Sequence, residues 1–429
     1  MKEKIYTVTL GCPKNQVDTE RALWRLRAAG AEFTAAPEEA GVLLVNTCGF
    51  ITGAKEESIE VILELAEVKK KNPRARLAVM GCLAERYRAE LAERIPEIDL
   101  ITGVGDEAIA AKLIPGAAAP IPDPDDPGRI ITTAPHWAYL KIAEGCSNQC
   151  SFCAIPRIRG PFQSRPMEDI LREARALAAR GVKELILVAQ DSALYGADLH
   201  EKRGLPRLLE KLNDIGGLVW LRVMYLFPPL VNRELIERFA TLEKVVPYFD
   251  LPFQHASGAV LARMNRPETS DYIRRLIGDI RARIPHAALR TAFITGFPGE
   301  GDKDFDILRR LVEEARFDHM GVFTYSPEEG TAAYDLDSAV PEEIAHARRA
   351  GLMSLQRAIS AEKLAARAGE TIEVMADGYD EEENLATGRA AWQAPQIDGQ
   401  VILDGVEAAP GDLLTLRVTG HTEYDLIAG

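Results

Sequence analysis

The chain has 429 residues, long enough for two or three domains, which excludes a single small module. Its 51 Lys and Arg residues against 65 Asp and Glu residues give a formal net charge of −14, which argues against a phosphate-rich partner. Apolar residues make up 47% of the chain, and no stretch approaches the roughly 18 uninterrupted apolar residues that a membrane span requires.

The N-terminal segment MKEKIYTVTLGC alternates like a β-strand and lacks the apolar core and cleavage site of a secretory signal. We therefore expect a cytoplasmic protein. Six Cys residues are too few for a disulfide scaffold, and in a reducing compartment such residues are more often metal ligands or catalytic groups.

Short apolar strands and amphipathic helices alternate in the first third of the chain. We predict strands at 4–10, 42–46 and 76–80, and helices at 16–29, 55–71 and 84–95. This alternation indicates a parallel sheet, and we assign residues 1–115 to a flavodoxin-like α/β domain. The segment PGAAAPIPDPDDP contains five prolines and little that could pack, so a linker is predicted at 116–131.

Six further strand and helix units suggest a partial (β/α)6 barrel over residues 132–362. Its strands are predicted at 138–143, 184–190, 219–226, 246–252, 289–295 and 319–325. Helical patterns between them fall at 167–179, 206–212, 233–240 and 302–315, and a long helix at 341–368 closes the region. Short strands at 371–376, 384–392, 399–403, 413–418 and 423–427 then indicate a small antiparallel, OB-like β-barrel over residues 363–429.

Three of the six cysteines, Cys146, Cys150 and Cys153, follow the first strand of the predicted barrel with the spacing C-x-x-x-C-x-x-C. One alternative is zinc, but structural zinc almost always takes four protein ligands, and His136 is the only local candidate for a fourth. Inert core cysteines are a second alternative. A 4Fe-4S cluster held by three thiolates leaves one iron open for a small molecule, and the position at a barrel strand end favours this reading.

The other three, Cys12, Cys48 and Cys82, each lie one or two residues beyond a predicted strand of the first domain. The carboxyl ends of parallel strands meet along one edge of the sheet, so these cysteines should converge. Gly11 and Gly81 precede two of them and would let the backbone approach a bulky ligand. We predict a second cluster with an open iron here, against the alternative of three unrelated core thiols.

At this point the chain resembles the methylthiotransferases, radical S-adenosylmethionine enzymes with an N-terminal three-cysteine domain, a radical barrel and a C-terminal TRAM barrel. The resemblance covers the whole length, and its motifs stand in the expected order: GCPKNQVDTE, NTCGFI, MGCLAERY, GCSNQCSFCAIPRIRGPFQSRP, LPFQHASGAVLARMNRP and GFPGE.

The resemblance implies a mechanism and a set of cofactors. The cluster at Cys146, Cys150 and Cys153 would bind S-adenosylmethionine and cleave it to a radical that takes hydrogen from an unactivated carbon. The 4Fe-4S cluster at the other three cysteines would deliver a methylthio group, and an electron donor such as flavodoxin or ferredoxin would be needed. No side-chain general base is required for the radical steps.

Further residues are candidates for contact with the cofactor: Phe152, Gln190, Asp191, Gln254, Gly296 and Gly299. The GFPGE segment could offer backbone amides, and Arg159 and Arg165 could hold carboxylates of cofactor or substrate. Simpler readings are loop packing for Phe152, strand-end capping for Gln190 and Asp191, and a structural, hydrogen-bonded role for His255.

Members of this family modify either an adenosine in transfer RNA or an aspartate of ribosomal protein S twelve of the small subunit. Residues 364–429 contain three basic and thirteen acidic residues, a net charge of −10, which would repel RNA phosphates and attract a basic ribosomal protein. A merely solubilising surface is the alternative. The segments GCPKN, AQDSALYG and GRAAWQAPQIDGQV also resemble the ribosomal-protein branch.

We therefore predict methylthiolation of the β-carbon of that aspartate. Transfer-RNA methylthiolation is the first alternative, and a non-catalytic iron-sulfur electron carrier is a more distant one.

Overall fold

The computed structural model describes residues 2–114, 116, 126–200, 203–380 and 385–429. The chain forms two compact units. The first comprises Met1–Thr132, Tyr139–Asn148 and Cys153–Ala176, and the second comprises Thr133–Ala138, Gln149–Phe152 and Leu177–Gly429. Most of the linker predicted at 116–131 lies outside the described residues, as do three of the thirteen acidic residues counted in 364–429.

The first unit is built on a parallel five-stranded sheet in the order β2-β1-β3-β4-β5. Its strands are β1 (Lys4–Thr9), β2 (Glu32–Phe33), β3 (Val42–Thr47), β4 (Arg76–Gly81) and β5 (Ile98–Ile101). Its helices are α1 (Pro13–Ala28), α2 (Thr52–Lys71), α3 (Cys82–Arg86), α4 (Arg88–Arg94) and α5 (Ile109–Leu113). This is the flavodoxin-like order, as predicted. All six residues of the central strand β3 are buried, as expected for a strand with helices on both faces.

The chain passes between the units within strand β6 (Trp137–Lys141). The first unit then adds short elements that follow β6. They are β7 (Ala143–Glu144), α6 (Ile155–Arg159), β8 (Gln163–Ser164) and the start of α7 (Met167–Ala179). Strands β7 and β8 pair antiparallel, so a short two-stranded ladder closes the segment that contains Cys146, Cys150 and Cys153.

The remaining core strands occur in the predicted order and pair in parallel. They are β9 (Glu184–Val188), β10 (Trp220–Val223), β11 (Tyr248–Asp250), β12 (Ala288–Thr295) and β13 (His319–Thr324). Their helices are α8 (Gly204–Asn213), α9 (Arg233–Thr241), α10 (Gly258–Arg263), α11 (Ser270–Arg283), α12 (Asp302–Ala315) and α13 (Glu342–Ala365). A bridge between Leu221 and Val245 joins β10 to the chain that enters β11. The core is thus a partial β/α barrel.

The C-terminal residues form a closed five-stranded barrel in the order β14-β15-β16-β18-β17. The strands are β14 (Thr371–Asp380), β15 (Leu385–Ala390), β16 (Val401–Leu403), β17 (Leu413–His421) and β18 (Leu426–Ala428). The predicted antiparallel pairing needs one correction, because β16 and β18 pair in parallel. Parallel pairing there requires a longer return connection, which β17 and its turns provide.

Buried polar contacts join this small barrel to the amino ends of the core strands. Arg389 Nη1 lies 2.6 Å from Glu184 Oε2 at the start of β9, and Tyr248 at the start of β11 donates to Asp398 at 2.6 Å. The His319 ring at the start of β13 lies 2.7 Å from a backbone oxygen of the barrel. The carboxyl ends of the strands, where β/α barrels hold their ligands, are therefore at the other end of the core from the small barrel.

None of the described helices combines the length and apolar character needed to cross a membrane.

Candidate functional site

Three cysteines lie at the carboxyl ends of three neighbouring strands of the first unit. Cys12 precedes the first residue of α1, Cys48 directly follows β3, and Cys82 is the first residue of α3 after β4. Strands β1, β3 and β4 are consecutive in the sheet, so the sequence-based expectation of a common edge is met. We call these residues the three-thiol group.

Close approach of two members of this group depends on a glycine. Gly11 has a φ of +89°, and a Cβ added there would lie 2.8 Å from Cys48 Cβ and 3.1 Å from Cys48 Sγ. Any larger residue would strain the backbone and push Cys48 away. Gly81 also has a positive φ of 96°, with Asn46 against it.

Asn15 of α1 lies under the three-thiol group and is fully buried. Its Nδ2 donates to the carbonyl oxygens of Leu10 at 3.0 Å and Thr47 at 2.9 Å, which ties it to the ends of β1 and β3. Its Oδ1 accepts from Cys82 Sγ at 3.5 Å and from Arg159. The asparagine thus fixes the strand ends that carry the cysteines and holds one thiol directly.

Arg159 lies beside the three-thiol group and does not need an external carboxylate. Its Nη1 donates to Asp18 at 3.1 Å and to Glu144 at 2.8 Å. Lys141 contacts the same two carboxylates, Asp18 at a short separation and Glu144 at 2.7 Å. Arg159 was predicted to hold a carboxylate of cofactor or substrate, but in the structure it pairs with two carboxylates of the chain itself.

The surroundings shift the pKa values of the three thiols in different directions. Burial raises the pKa of Cys12, but the charges of Lys14 and Arg159 and two backbone donors outweigh it and lower that pKa below its usual range. Burial raises the pKa of Cys48, and it raises the pKa of Cys82 to about 12 despite Arg159. The surroundings of Cys12 therefore favour its thiolate form.

The donor set of this group fits an iron-sulfur cluster. It consists of thiols alone, which are the soft ligands that iron-sulfur clusters take. Within the residues that the structure describes, no three His, Cys, Asp or Glu side chains are arranged to hold a single metal ion. A cluster has the larger core, so its ligands stand further apart than those of one ion.

The second cysteine motif lies on one loop between β7 and α6. The Cys146 amide donates to the carbonyl of Gly160 at 3.1 Å. In the second unit, the Ser151 amide donates to the carbonyl of Met264 at 2.9 Å, and Asn265 Nδ2 donates to the carbonyl of Gln149 at 2.7 Å. Hydrogen bonds within the first unit therefore hold Cys146, and hydrogen bonds within the second unit hold Gln149 and Ser151.

Arg266 is aimed at one cysteine of this loop. Its Nη1 lies 3.7 Å from Cys150 Sγ, and its Nη2 donates to the carbonyl of Pro252 at 2.9 Å. Glu268 pairs with it at short range, and the guanidinium lies 4.5 Å from the centre of the Phe227 ring. Sequence reasoning missed this residue, although it stands in the quoted motif LPFQHASGAVLARMNRP.

His136 has another partner than a metal. Its Nε2 lies 2.8 Å from Asp377 Oδ1, at the join between the core and the small barrel. The zinc alternative depended on His136 as the fourth ligand. In the structure that side chain instead contacts Asp377.

Residues at the carboxyl ends of the core strands include two with strained backbones. Gln254, a predicted cofactor contact, has a φ of +69°, and Tyr225 beyond β10 has a φ of +61°. Such non-glycine conformations cost of order 1–3 kcal/mol each and cluster at functional sites. Both residues lie where a β/α barrel holds its ligand.

Other predicted cofactor contacts have partners within the chain. Asp191 accepts from the Ala193 amide at 3.1 Å and caps a short helical turn, as its simpler reading required. Phe152 packs against a buried apolar cluster that includes Val260 and Met264. Gln190 is half-buried beside Asp191.

The expectation that GFPGE offers free amides is not met. Glu300 Oε2 accepts from the amides of Gly296 at 2.8 Å and Phe297 at 3.3 Å, and the Gly299 amide donates to the carbonyl of Ser338 at 2.8 Å. Gly296 has a φ of +75°, and a Cβ there would lie 2.3 Å from Ala345 Cβ. The segment is a tight, internally satisfied turn, and any contact of Gly296 and Gly299 with a cofactor stays a prediction.

His255 is a structural residue. It is fully buried, and its Nδ1 accepts from the Ser257 amide at 2.9 Å. Burial lowers the pKa of the ring to about 3, so it is neutral at physiological pH.

Arg165 belongs to a separate charged network of the first unit. Its Nη2 lies 2.7 Å from Glu173, which also contacts Arg21 and Arg129. A cavity of about 330 Å³ is lined by Arg165, Arg21 and Trp24 among others, and its four arginines each pair with an acidic residue that also lines it. It contains none of the cysteines, and Arg165 is not placed to hold an external carboxylate.

Comparisons with solved structures show the same fold. The radical S-adenosylmethionine methyltransferase TsrM of Kitasatospora setae, solved with cobalamin and a 4Fe-4S cluster, gives a TM-score of 0.53 at 15% identity over 78% of this chain and 77% of that chain. The cobalamin-dependent radical enzyme OxsB gives 0.55 at 11% identity over 83% and 62%.

Sequence comparisons give the family. Residues 4–103 match the uncharacterized protein family UPF0004, residues 140–312 the radical SAM superfamily, and residues 368–429 the TRAM domain. The chain is 49% identical to the ribosomal protein uS12 methylthiotransferase RimO of Pelotomaculum thermopropionicum, over 99% of this chain and 98% of that protein. It is 47% identical to the protein of the same name from Aquifex aeolicus, over 99% and 96%. The chain therefore belongs to the ribosomal protein uS12 methylthiotransferase (RimO) family within the radical S-adenosylmethionine superfamily.

Proposed function

We propose that this chain transfers a methylthio group to the β-carbon of an aspartate in ribosomal protein uS12. It would use S-adenosylmethionine, a 4Fe-4S cluster at Cys146, Cys150 and Cys153, and a second at the three-thiol group. The observation that carries the proposal is the convergence of three thiols at the ends of β1, β3 and β4 in a full-length relative of uS12 methylthiotransferases.

The chain's own residues would bind and orient the reacting groups. Bound clusters with an open iron supply reductive cleavage of S-adenosylmethionine at one site and sulfur at the other. Met264, Asn265 and Arg266 hold the Cys150 part of the loop, and Asn15 holds the strand ends of the three-thiol group. One cysteine of each set, Cys82 and Cys146, is buried, and the other four are half-buried.

The surface of the small barrel supports a basic protein substrate over RNA. Exposed carboxylates occur on several of its strands and turns: Glu370, Glu373, Asp404, Glu407, Asp412 and Glu423. Among its described basic residues, Arg389 is buried in an ion pair and Arg367 is half-buried, which leaves Arg417 exposed. RNA binding depends on Lys and Arg against phosphates, whereas an acidic surface steers a basic protein.

The small barrel acts at a distance in this proposal. It is attached at the amino ends of the core strands, so its charge would attract uS12 without lining the reacting centre. The reaction would take place in the cytoplasm, with a flavodoxin or ferredoxin as electron donor. No observation favours the electron-carrier alternative, which leaves the strained strand ends at Gln254 and Tyr225 without a purpose.

Anaerobic turnover of the iron-reconstituted chain tests the proposal. The chain receives S-adenosylmethionine and a reductant, with uS12 and unmodified transfer RNA in parallel, and both are analysed by mass spectrometry. We expect one methylthio group in place of hydrogen on an aspartyl peptide, and none on that peptide when its aspartate is replaced by Ala. A methylthio group on adenosine with an unmodified peptide would show that the substrate assignment is wrong.

A further inference from the structure

We infer that Arg159 is a positioning residue of the three-thiol group, and that its buried positive charge compensates the anionic sulfur which that group holds. The inference rests on the proposed function, because it assumes that the group binds a cluster and carries sulfur. Arg159 lies outside the cysteine motifs of that site, and we expect it to control the midpoint potential of the cluster and its affinity for anionic sulfur.

The first observation is the direction in which Arg159 points. Its Nη1 is bound to Asp18 and Glu144, and its Nη2 reaches Asn15 Oδ1, which also accepts from Cys82 Sγ. The positive charge of Arg159 also opposes the effect of burial on the pKa of Cys82. The two carboxylates therefore hold one nitrogen in place, while the other reaches the asparagine oxygen that also accepts from the Cys82 thiol. A planar guanidinium keeps this geometry better than a flexible ammonium group.

The second observation is how α6 brings Arg159 to this place. Ala154 and Ile158 pack on Cys82 in one buried apolar cluster, and Arg159 follows Ile158 as the last residue of the helix. Gly160, the next residue, accepts from the Cys146 amide at 3.1 Å. One short segment therefore begins next to Cys153, contacts Cys82 along its length, and ends against the backbone of Cys146.

The third observation is the local charge. Asp18 and Glu144 are balanced by Lys141 and Arg159, and the charge of Lys14, which is also buried, acts on Cys12. The charge of Arg159 favours the anionic form of all three thiols, whereas Glu57 opposes this at Cys48. Thiolates around an iron-sulfur core, with a further sulfur anion on the open iron, leave a net negative charge that must be compensated when it is buried.

Arg165 provides a matched comparison in the same segment. It is half-buried, and its nitrogens contact the buried Glu173 and the carbonyl of Lys141. Substitution of Arg165 therefore removes an arginine of the same segment that pairs with a buried carboxylate outside the three-thiol group. Arg159 and Arg165 separate the effect on the cluster from the effect of breaking a buried ion pair.

The test uses the full chain with Cys146, Cys150 and Cys153 all replaced by Ala, so that only the three-thiol group can assemble a cluster. Into this parent we introduce Arg159→Gln, Arg159→Lys or Arg165→Gln. The midpoint potential is measured by redox titration followed by EPR, and the affinity for added hydrosulfide is measured as the probe of the open iron.

We expect Arg159→Gln to move the midpoint potential to more negative values and to weaken hydrosulfide binding by about tenfold, because a buried positive charge beside the sulfur atoms is lost. Arg159→Lys should change the midpoint potential and the hydrosulfide affinity much less, and Arg165→Gln should have the same values as the parent. Equal values in the parent and Arg159→Gln would overturn the inference, as would equal losses in Arg159→Lys and Arg159→Gln.

The remaining outcomes are also decisive. Loss of far-UV circular dichroism in both Arg159 variants, with Arg165→Gln folded, would assign Arg159 to the ion-pair network of the fold and overturn the inference. Absence of any cluster in the parent would remove the proposed function and the inference together. A cluster in the parent that is indifferent to Arg159 would overturn the inference alone.

Discussion

Arg266 Nη1 lies 3.7 Å from Cys150 Sγ, so a buried guanidinium faces the sulfur of a cysteine in the C-x-x-x-C-x-x-C loop. Hydrogen bonds to cluster sulfurs and nearby charge are two of the factors that set the potential of an iron-sulfur cluster. Loss of this donor should therefore make reduction of the cluster at this loop more difficult.

We predict that Arg266→Gln shifts the midpoint potential of this cluster to more negative values, and that Arg266→Lys shifts it less. Redox titration followed by EPR, in a chain whose Cys12, Cys48 and Cys82 are all Ala, measures the change. Arg263→Gln is the control, because Arg263 donates to the carbonyl of Pro298 and pairs with Asp337. An unchanged potential in Arg266→Gln would show that Arg266 does not influence the cluster and serves its contacts with Glu268 and Pro252.

Two single cysteine variants separate the roles of the two sites. Cys146→Ala should abolish release of 5′-deoxyadenosine from S-adenosylmethionine, because the cluster in this loop loses a ligand. Cys48→Ala should retain 5′-deoxyadenosine release and lose methylthio transfer to uS12. Chromatography of the nucleoside and mass spectrometry of the peptide give both readouts from one reaction. Persistent cleavage in Cys146→Ala would contradict the assignment of that loop.

The pH dependence of stability should contain a contribution from Glu173. Burial raises the pKa of this carboxyl, but the charges of Arg165, Arg129 and Arg21 outweigh it and lower that pKa to about 2. A carboxyl whose pKa is lowered by folding stabilises the folded state at every pH above the pKa that it has in the unfolded chain. This stabilisation is lost as the pH falls from about 4.5 to about 2. The linkage amounts to about 3 kcal/mol at neutral pH.

We predict that Glu173→Gln lowers the free energy of unfolding by roughly this amount at pH 7 and flattens its decline between pH 5 and about 3. Urea unfolding at a series of pH values measures the effect. Glu168→Gln, on the exposed side of the same helix α7, should change stability by less than about 0.5 kcal/mol. A parallel decline with pH in Glu173→Gln and the wild-type chain would refute this account.

Attachment of the small barrel should depend on the pair of Arg389 and Glu184. Both side chains are almost fully buried, and Arg222 also contacts Glu184 at 2.8 Å. Removal of one partner from a buried pair costs about 3–5 kcal/mol, because it leaves an uncompensated charge. We predict that Arg389→Ala lowers amide protection in strands β14 and β15 by about this amount in hydrogen exchange, while Arg417→Ala, exposed on the same barrel, changes it by less than about 0.5 kcal/mol. Equal protection in the two variants would contradict the assignment.

The sequence was most informative where amphipathic patterns are strong. Helices Met167–Ala179 and Asp302–Ala315 have the predicted bounds, because each has a continuous apolar stripe and acidic residues in its first turn. The helix expected at 84–95 is instead two helices, since Tyr87 leaves the helical region with a φ of −127°. Helix Ser270–Arg283 was missed, although its buried Ile273, Leu276 and Ile280 follow helical spacing.

The six cysteines could be identified as candidates from sequence because strand ends are predictable and parallel strands share an edge. The side chains around them could not be identified in the same way. Arg159 and Asn15 are 144 residues apart, and their contact depends on how α6 packs on Cys82. The run of polar residues at the start of α1, of which Asn15 and Asp18 are buried, is the signal that could have located this network.

The most direct test of the account is an iron and acid-labile sulfide count on two complementary triple variants, reconstituted anaerobically as full chains. One has Cys12, Cys48 and Cys82 replaced by Ala, and the other has Cys146, Cys150 and Cys153 replaced by Ala. We predict about four iron atoms per chain in each variant and about eight in the wild-type chain, with 5′-deoxyadenosine released by the wild-type chain and the first variant but not by the second. A wild-type chain with about four iron atoms, or a second variant without iron, would contradict the claim that the three thiols at the ends of β1, β3 and β4 hold a cluster of their own.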